Sequence, residues 1–274
     1  MPIVKISREN AQFQILNALK TNREKRNKEG FIFEGVRNIN NALKYNWSIK
    51  AFFYSSELGL SNWAKHILQN SSAETHYDLS SELLKKLSDK EETSELLALA
   101  KIPEDDLNKI KVGDNLLVVV FDRPSNPGNL GTIIRSCDSF GVNGLIITGH
   151  ATDAYDPETI SAATGSLFSL PIVRLGSQKE LEPWINKMRK KFPDLQVVGT
   201  DEEGERTIYE FDFKKPTILL AGNEKWGLSA GYKEATDAIV KIPMQGSASS
   251  LNVAVATSII ISEVKRQRAS YDVS

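Results

Sequence analysis

Three short stretches of this chain hold the residue types that could do chemistry, and each follows an apolar run. The first is Asp122-Arg-Pro-Ser-Asn126-Pro127-Gly128-Asn129-Leu130-Gly131, directly after Leu116–Phe121. A strand, a glycine-rich turn and a helix in that order form the place where open α/β sheets bind ligands. No G-x-G-x-x-G is present and no Gly-Lys-Ser/Thr follows, so the turn is neither a dinucleotide fingerprint nor a P-loop. Beyond it, Leu130, Ile133, Ile134, Cys137 and Phe140 share one side of a helix, and Arg135 falls away from that stripe. On this stretch alone Arg135 reads equally as a solvated surface arginine or as a group aimed into a cleft. Cys137 lies on the apolar stripe and reads as core rather than as a nucleophile.

The second stretch is Leu219-Leu-Ala-Gly222-Asn223-Glu224-Lys225-Trp226-Gly227-Leu228-Ser229. A strand again ends in a polar turn with one carboxylate. Gly222 is expected to let a ligand approach the backbone closely, although a turn with one Glu is as often only a turn. The third, Ile242-Pro-Met-Gln-Gly246-Ser-Ala-Ser249-Ser250-Leu251-Asn252-Val253, leads from a strand through a Ser/Gly loop into a helix that runs to Arg268. Ser249 or Ser250 is a natural N-cap for that helix, a role that competes with any catalytic one. Lys265, Arg266 and Arg268 suit the negative end of the helix dipole and could also meet phosphate. His66, His76 and His150 have no partners at metal-ligand spacing, no Ser-His-Asp arrangement is visible, and no metal site is expected.

Alternating strands and helices must position these loops. From Leu116 onwards, short apolar runs recur at Leu145–Ile147, Gln196–Val198, Thr217–Leu220 and Ala238–Val240, separated by helix-sized segments at 130–140, 179–191 and 250–268. Uninterrupted apolar strands are buried on both faces, as in a parallel sheet covered by helices. The first hundred residues read differently, as a more polar α/β segment. It has a helix over Gln12–Leu19, strands at Gly30–Phe33 and Ile49–Ser55, a helix over Arg37–Lys44, and helix-like stretches around 61–69 and 80–87. The spacing places a linker near 103–113 and two domains, 1–105 and 112–274.

Composition narrows the class. The 274 residues are 41% hydrophobic and 25% charged, which excludes a disordered or fibrous chain. Lys and Arg number 34 against 35 Asp and Glu, a net charge of −1, so any polyanion must be held by a local patch. A single cysteine, Cys137, fits a reducing compartment. The amino terminus has no signal-peptide core, and the longest apolar stretch, Leu251–Ile261, is too short to span a bilayer. The expectation is a soluble, cytoplasmic protein with no membrane partner.

Taken in order, Asn129-x-Gly131-x3-Arg135, Gly222-Asn-Glu224-x2-Gly227-Leu228 and Ile242-Pro-Met244 through Ser250-Leu-Asn252-Val253 resemble the three motifs of the SpoU (TrmH-like) RNA ribose 2′-O-methyltransferases of the SPOUT class. The likeness spans about residues 116–268. Residues 5–100 are similar to the substrate-binding domain often fused ahead of it, through the Arg23-Glu-Lys25-Arg26 run and Phe31-Ile-Phe-Glu34-Gly35-Val-Arg37. The resemblance implies a small ribosomal-protein-like α/β domain followed by a parallel-sheet domain tied in a C-terminal trefoil knot. It also implies S-adenosylmethionine as methyl donor, a homodimer with each site completed across the interface, and structured RNA as substrate. Ribosomal RNA is favoured, with tRNA or a catalytically silent RNA-binding role as alternatives.

Carried over to these residues, the family's cofactor contacts fall on Gly222, Ile242 and Leu251, with Thr200 added at the end of a strand. Arg135 is the group assigned to activating the ribose hydroxyl, and Asn129, Glu224, Ser250 and Asn252 would line the nucleotide site. A guanidinium does not normally deprotonate in proteins, so electrostatic stabilisation or the holding of a phosphate suits Arg135 better than a literal base role. The chain departs from the family at Lys225-Trp226, where small residues are common, and at Ala254, where serine is frequent. For the RNA grip, residues 20–37 carry six Lys or Arg against three Glu. That local positive run points to Arg23, Lys25, Arg26 and Arg37 as phosphate contacts.

Overall fold

A computed structural model describes residues 2–269, which form two compact units. One runs to Glu104 and takes in Asp153–Ser169 as well; the other holds Asp105–Thr152 and Leu170 onwards.

The first unit begins with strand β1 (Ile3–Ile6), then helices α1 (Ala11–Asn17) and α2 (Arg23–Glu29). Strand β2 (Phe31–Glu34), helix α3 (Val36–Lys44), strand β3 (Ile49–Tyr54), helix α4 (Asn62–Asn70), strand β4 (Thr75–Leu79), helix α5 (Ser81–Leu87) and strand β5 (Leu96–Ala100) follow. The strands order as β1-β4-β3-β5-β2, with β5 antiparallel to both of its neighbours. Side chains alternate across β2 because successive residues of a strand face opposite ways. Ile32 joins the core of Phe13, Leu16, Phe53, Leu83 and Leu97. On the other face Phe31 and Phe33 meet Tyr155 and Phe168, with Phe33 and Phe168 ring centres 4.6 Å apart. Trp47 joins that cluster and donates its indole N–H to the Phe168 carbonyl at 2.9 Å. These aromatics hold Asp153–Ser169, including the helix Pro157–Ala163, in the first unit. A reading by local pattern leaves the segment inside 112–274, because its partners lie more than a hundred positions away.

The second unit is built on strand β6 (Leu117–Asp122), helix α6 (Pro127–Ser139) and strand β7 (Gly144–Thr148). The chain then passes through α7 (Pro157–Ala163) of the first unit to strand β8 (Ile172–Leu175), helix α8 (Gln178–Lys191), strand β9 (Gln196–Thr200) and strand β10 (Arg206–Thr207). Strand β11 (Thr217–Ala221), helix α9 (Ala230–Ala235), strand β12 (Ala238–Lys241) and helix α10 (Val253–Arg268) complete it. The seven strands are all parallel, in the order β10-β12-β9-β11-β6-β7-β8. β6, β7 and β11 are buried along their whole length, as their apolar runs require. One face is sealed by Trp184, Ile185, Met188 and Phe192 against Val118, Val120, Ile218 and Leu220. On α6, Leu130, Ile133, Ile134 and Cys137 are buried, and burial pushes the Cys137 thiol far up, which makes it inert.

Helix α10 packs on α6, with Ser136 Oγ and Ser258 Oγ 2.6 Å apart. Its N-cap is Asn252, not Ser249 or Ser250. At its far end Arg268 donates to the carbonyls of Phe213, Asn115 and Lys215. Arg266 pairs with Glu263. Arg268 therefore ties the helix end to its own sheet and is spent as a phosphate contact.

Candidate active site

Strand register decides which loops meet. In the β6–β11 pair Phe121 lies opposite Ala221, so the turns after both strands emerge side by side. β9 stands on the other flank of β11, and Val240 of β12 is paired with Thr200. The ends of four neighbouring strands thus surround one cleft, at the carboxyl edge where such sheets bind ligands.

The turn after β11 is built from its own residues. Asn223 and Gly227 exchange backbone hydrogen bonds at 3.0 Å each, and Asn223 Oδ1 accepts from the N–H groups of Lys225 and Trp226. Gly227 has φ of +63°, open to glycine at little cost. A Cβ on Gly222 would lie 2.4 Å from the Gly227 carbonyl carbon. The turn folds back over Gly222 and by itself requires glycine there, while the residue also borders the cleft.

That turn delivers Glu224 to the loop after β6. Its carboxylate accepts from Ser125 N at 2.9 Å, Ser125 Oγ at 2.7 Å and Asn126 N at 3.1 Å. Burial alone would raise its pKa, but the Ser125 hydroxyl and the backbone N–H groups outweigh it and hold the carboxyl below its usual range. Asn126 caps α6 by accepting from Asn129 N, and Pro127 takes the first helical position, where its missing N–H is harmless. Asn129 then bridges the other two loops. Its Nδ2 lies 3.4 Å from Glu224 Oε1, and its Oδ1 accepts from Asn252 Nδ2 at 2.9 Å. Asn252 Oδ1 in turn accepts from Ala254 N and Val255 N at the head of α10.

The cleft holds about 550 Å³. Eight of the residues singled out from sequence border it: Asn129, Thr200, Gly222, Glu224, Ile242, Ser250, Leu251 and Asn252. Thr200 donates from its hydroxyl to Leu220 O at 3.2 Å. Met244 and Val253 of the third motif also line the cleft, whereas sequence reasoning missed Asp201 and Glu202 on the lining and Ser125 as the anchor of Glu224. The Ser in Pro-Ser-Asn-Pro was the available signal for the last.

Arg135 is elsewhere. It is exposed on α6, does not border the cleft, and its guanidinium has no partner among the described residues.

In the first unit Arg23, Lys25 and Arg37 are exposed. Arg26 is not: it is 3% exposed and donates from Nε to Asp153 Oδ2 at 2.8 Å, and from Nη1 to the carbonyls of Leu19 and Lys20 at 2.8 Å. Asp156 completes its shell at 3.4 Å. With its donors committed inside the fold, Arg26 is a structural residue, and its assignment to RNA binding is withdrawn. The sequence run does not say which face of α2 turns inward.

A family model described as the SpoU rRNA Methylase family matches residues 116–262, which contain every one of these loops. The chain belongs to that family. A second match, the SpoU L30e-like domain, covers residues 10–98 of this SpoU protein. The chain is 44% identical over 268 residues to the 23S rRNA (uridine(2479)-2′-O)-methyltransferase of Streptomyces viridochromogenes, covering 97% of this chain and 93% of that one. It is 27% identical over 255 residues to the 23S rRNA (guanosine(2553)-2′-O)-methyltransferase RlmP of Bacillus subtilis, covering 93% and 96%. Among solved structures, the SpoU methyltransferase AviRb of S. viridochromogenes in complex with AdoMet superposes with a TM-score of 0.90 at 44% identity, over 96% of this chain and 99% of that one.

Proposed function

We propose that this SpoU protein transfers a methyl group from S-adenosylmethionine to a ribose 2′-hydroxyl of ribosomal RNA in the cytoplasm. The observation that carries the reading is the hydrogen-bonded chain Glu224–Asn129–Asn252, which joins the three strand-end loops around one cleft. The names of the relatives favour 23S rRNA over tRNA. Among the described residues no helix is long and apolar enough to cross a membrane, and no metal-ligating cluster occurs.

The cleft suits the methyl donor by size and by donor set. Its volume of about 550 Å³ falls within the roughly 300–1,000 Å³ of small-molecule sites. Ile242, Met244, Leu251 and Val253 offer an apolar wall for a heterocycle, while Asp201, Glu202 and Glu224 favour a cation. When bound, S-adenosylmethionine would supply an electrophilic methyl on sulfonium. Asn252, with one N–H committed to Asn129, keeps a second donor for a ribose or phosphate oxygen, and Ser250 borders the same cleft. Holding acceptor and donor in line supplies much of the rate.

Arg135, exposed and unpartnered on α6, serves best at the cleft of a second copy, where its charge would steady the developing alkoxide. A homodimer follows from that reading, and the exposed Val255 gives it an apolar contact. The family's trefoil knot belongs to the same proposal. Calorimetric titration with S-adenosylmethionine tests the whole: one site per chain is expected, and no heat at millimolar ligand would overturn it.

A further inference from the structure

Trp226 is 69% exposed, more than any other large apolar side chain among the described residues, and it borders the cleft. Aromatic side chains normally bury 150–250 Å² each, so an open indole asks for an occupant. The backbone that carries the ring is fixed by its turn. The Trp226 backbone N–H donates to Asn223 Oδ1 at 3.0 Å, and the turn is closed by Asn223 and Gly227. Lys225 Nζ sits 4.6 Å from the centre of the ring. One face of the indole is therefore covered by a cation, and the other is left for a flat partner.

We propose that Trp226 is the platform on which the base of the target nucleotide stacks, with Lys225 beside its phosphate. The proposal rests on the methyl-transfer reading and deepens it. Charge favours this occupant: an RNA nucleotide brings only anionic phosphate to Lys225, whereas S-adenosylmethionine, with a sulfonium and an ammonium against one carboxylate, is a net cation. The apolar wall of Ile242 and Leu251 belongs to other parts of the cleft lining and remains for the donor's heterocycle. Every base has a π-face, so the stack orients the nucleotide without choosing its identity. Its role is to bring the ribose hydroxyl over the cleft.

The test compares wild type, Trp226→Ala and Trp226→Phe in methyl transfer to unmethylated 23S rRNA, alongside S-adenosylmethionine affinity and light scattering. Trp226→Ala is expected to raise KM for RNA by roughly five- to a hundredfold, the range of one base–aromatic stack. Methyl-donor affinity and particle mass should stay unchanged, and Trp226→Phe should recover most of the loss. Four tryptophans are present, so the wild-type minus Trp226→Phe emission isolates this one. It should be quenched by 23S rRNA and not by S-adenosylmethionine alone. An unchanged KM overturns the proposal. So does quenching by the donor alone with lost donor affinity, which would make Trp226 an adenine platform, or a changed mass, which would make it a dimer contact. If wild type methylates no RNA, the parent reading fails, and the quenching still decides whether the indole meets RNA.

Discussion

Asn252 donates from Nδ2 to Asn129 Oδ1 at 2.9 Å, and the orientation of both amides is set from opposite ends. On one side the Glu224 carboxylate, which when ionised can accept but not donate, draws the Asn129 amino group. On the other, the α10 N-terminus needs Asn252 Oδ1 for two backbone N–H groups, which turns its amino group towards Asn129. Asn252→Asp keeps the cap but sets oxygen against oxygen at Asn129. Helix content should therefore persist while methyl transfer falls at least tenfold, as measured by circular dichroism and by incorporation of labelled methyl. Asn252→Ala should in addition lose about 0.5–2 kcal/mol of stability with the cap.

Arg26→Ala should be the most damaging change in the basic run. It strands Asp153, 5% exposed, without its cation. Breaking a buried pair from one side typically costs about 3–5 kcal/mol. Lys25→Ala, on the exposed face of the same helix, should stay within about 0.5 kcal/mol. Urea midpoints of the two variants check this, and a change in RNA affinity should be sought with Arg23, Lys25 and Arg37 instead.

Glu224 makes stability depend on pH in a known direction. Its folded pKa lies below the ordinary 4.5. The stabilisation is thus complete above about pH 4.5 and disappears as pH falls through the lower folded value. Glu224→Gln should remove that dependence. Thermal midpoints between pH 7 and 3 should show wild type and variant converging at the acid end.

Gly222→Ala should abolish binding of S-adenosylmethionine with the sheet left intact, because the added Cβ meets backbone at Gly227 and Leu228, which cannot swing aside. Calorimetry on the folded variant measures it, and retained affinity would mean the turn can open.

The strand ends and their loops were legible because apolar runs give way to Gly, Pro and Asn at β6 and β11. All three motifs mark local turns, so local pattern found them. What it could not give was side-chain commitment over distance. Arg26 looked like its charged neighbours until Asp153, 127 positions away, was seen to neutralise it. The placement of Tyr155 and Phe168 in the first unit likewise depends on Phe31, Phe33 and Trp47, which no local period links to them. Ser249 or Ser250 reads as the cap of α10, yet Asn252 takes that role, a choice that only the backbone geometry makes.

The central claim is the reaction itself. Purified protein, S-adenosylmethionine labelled in the methyl group and 23S rRNA from cells lacking the gene should yield close to one labelled methyl per RNA. The label should sit at a ribose that resists alkaline cleavage, since a methylated 2′-oxygen cannot attack its own phosphate. No incorporation, or a label carried on a base and leaving the backbone cleavable there, would contradict the account.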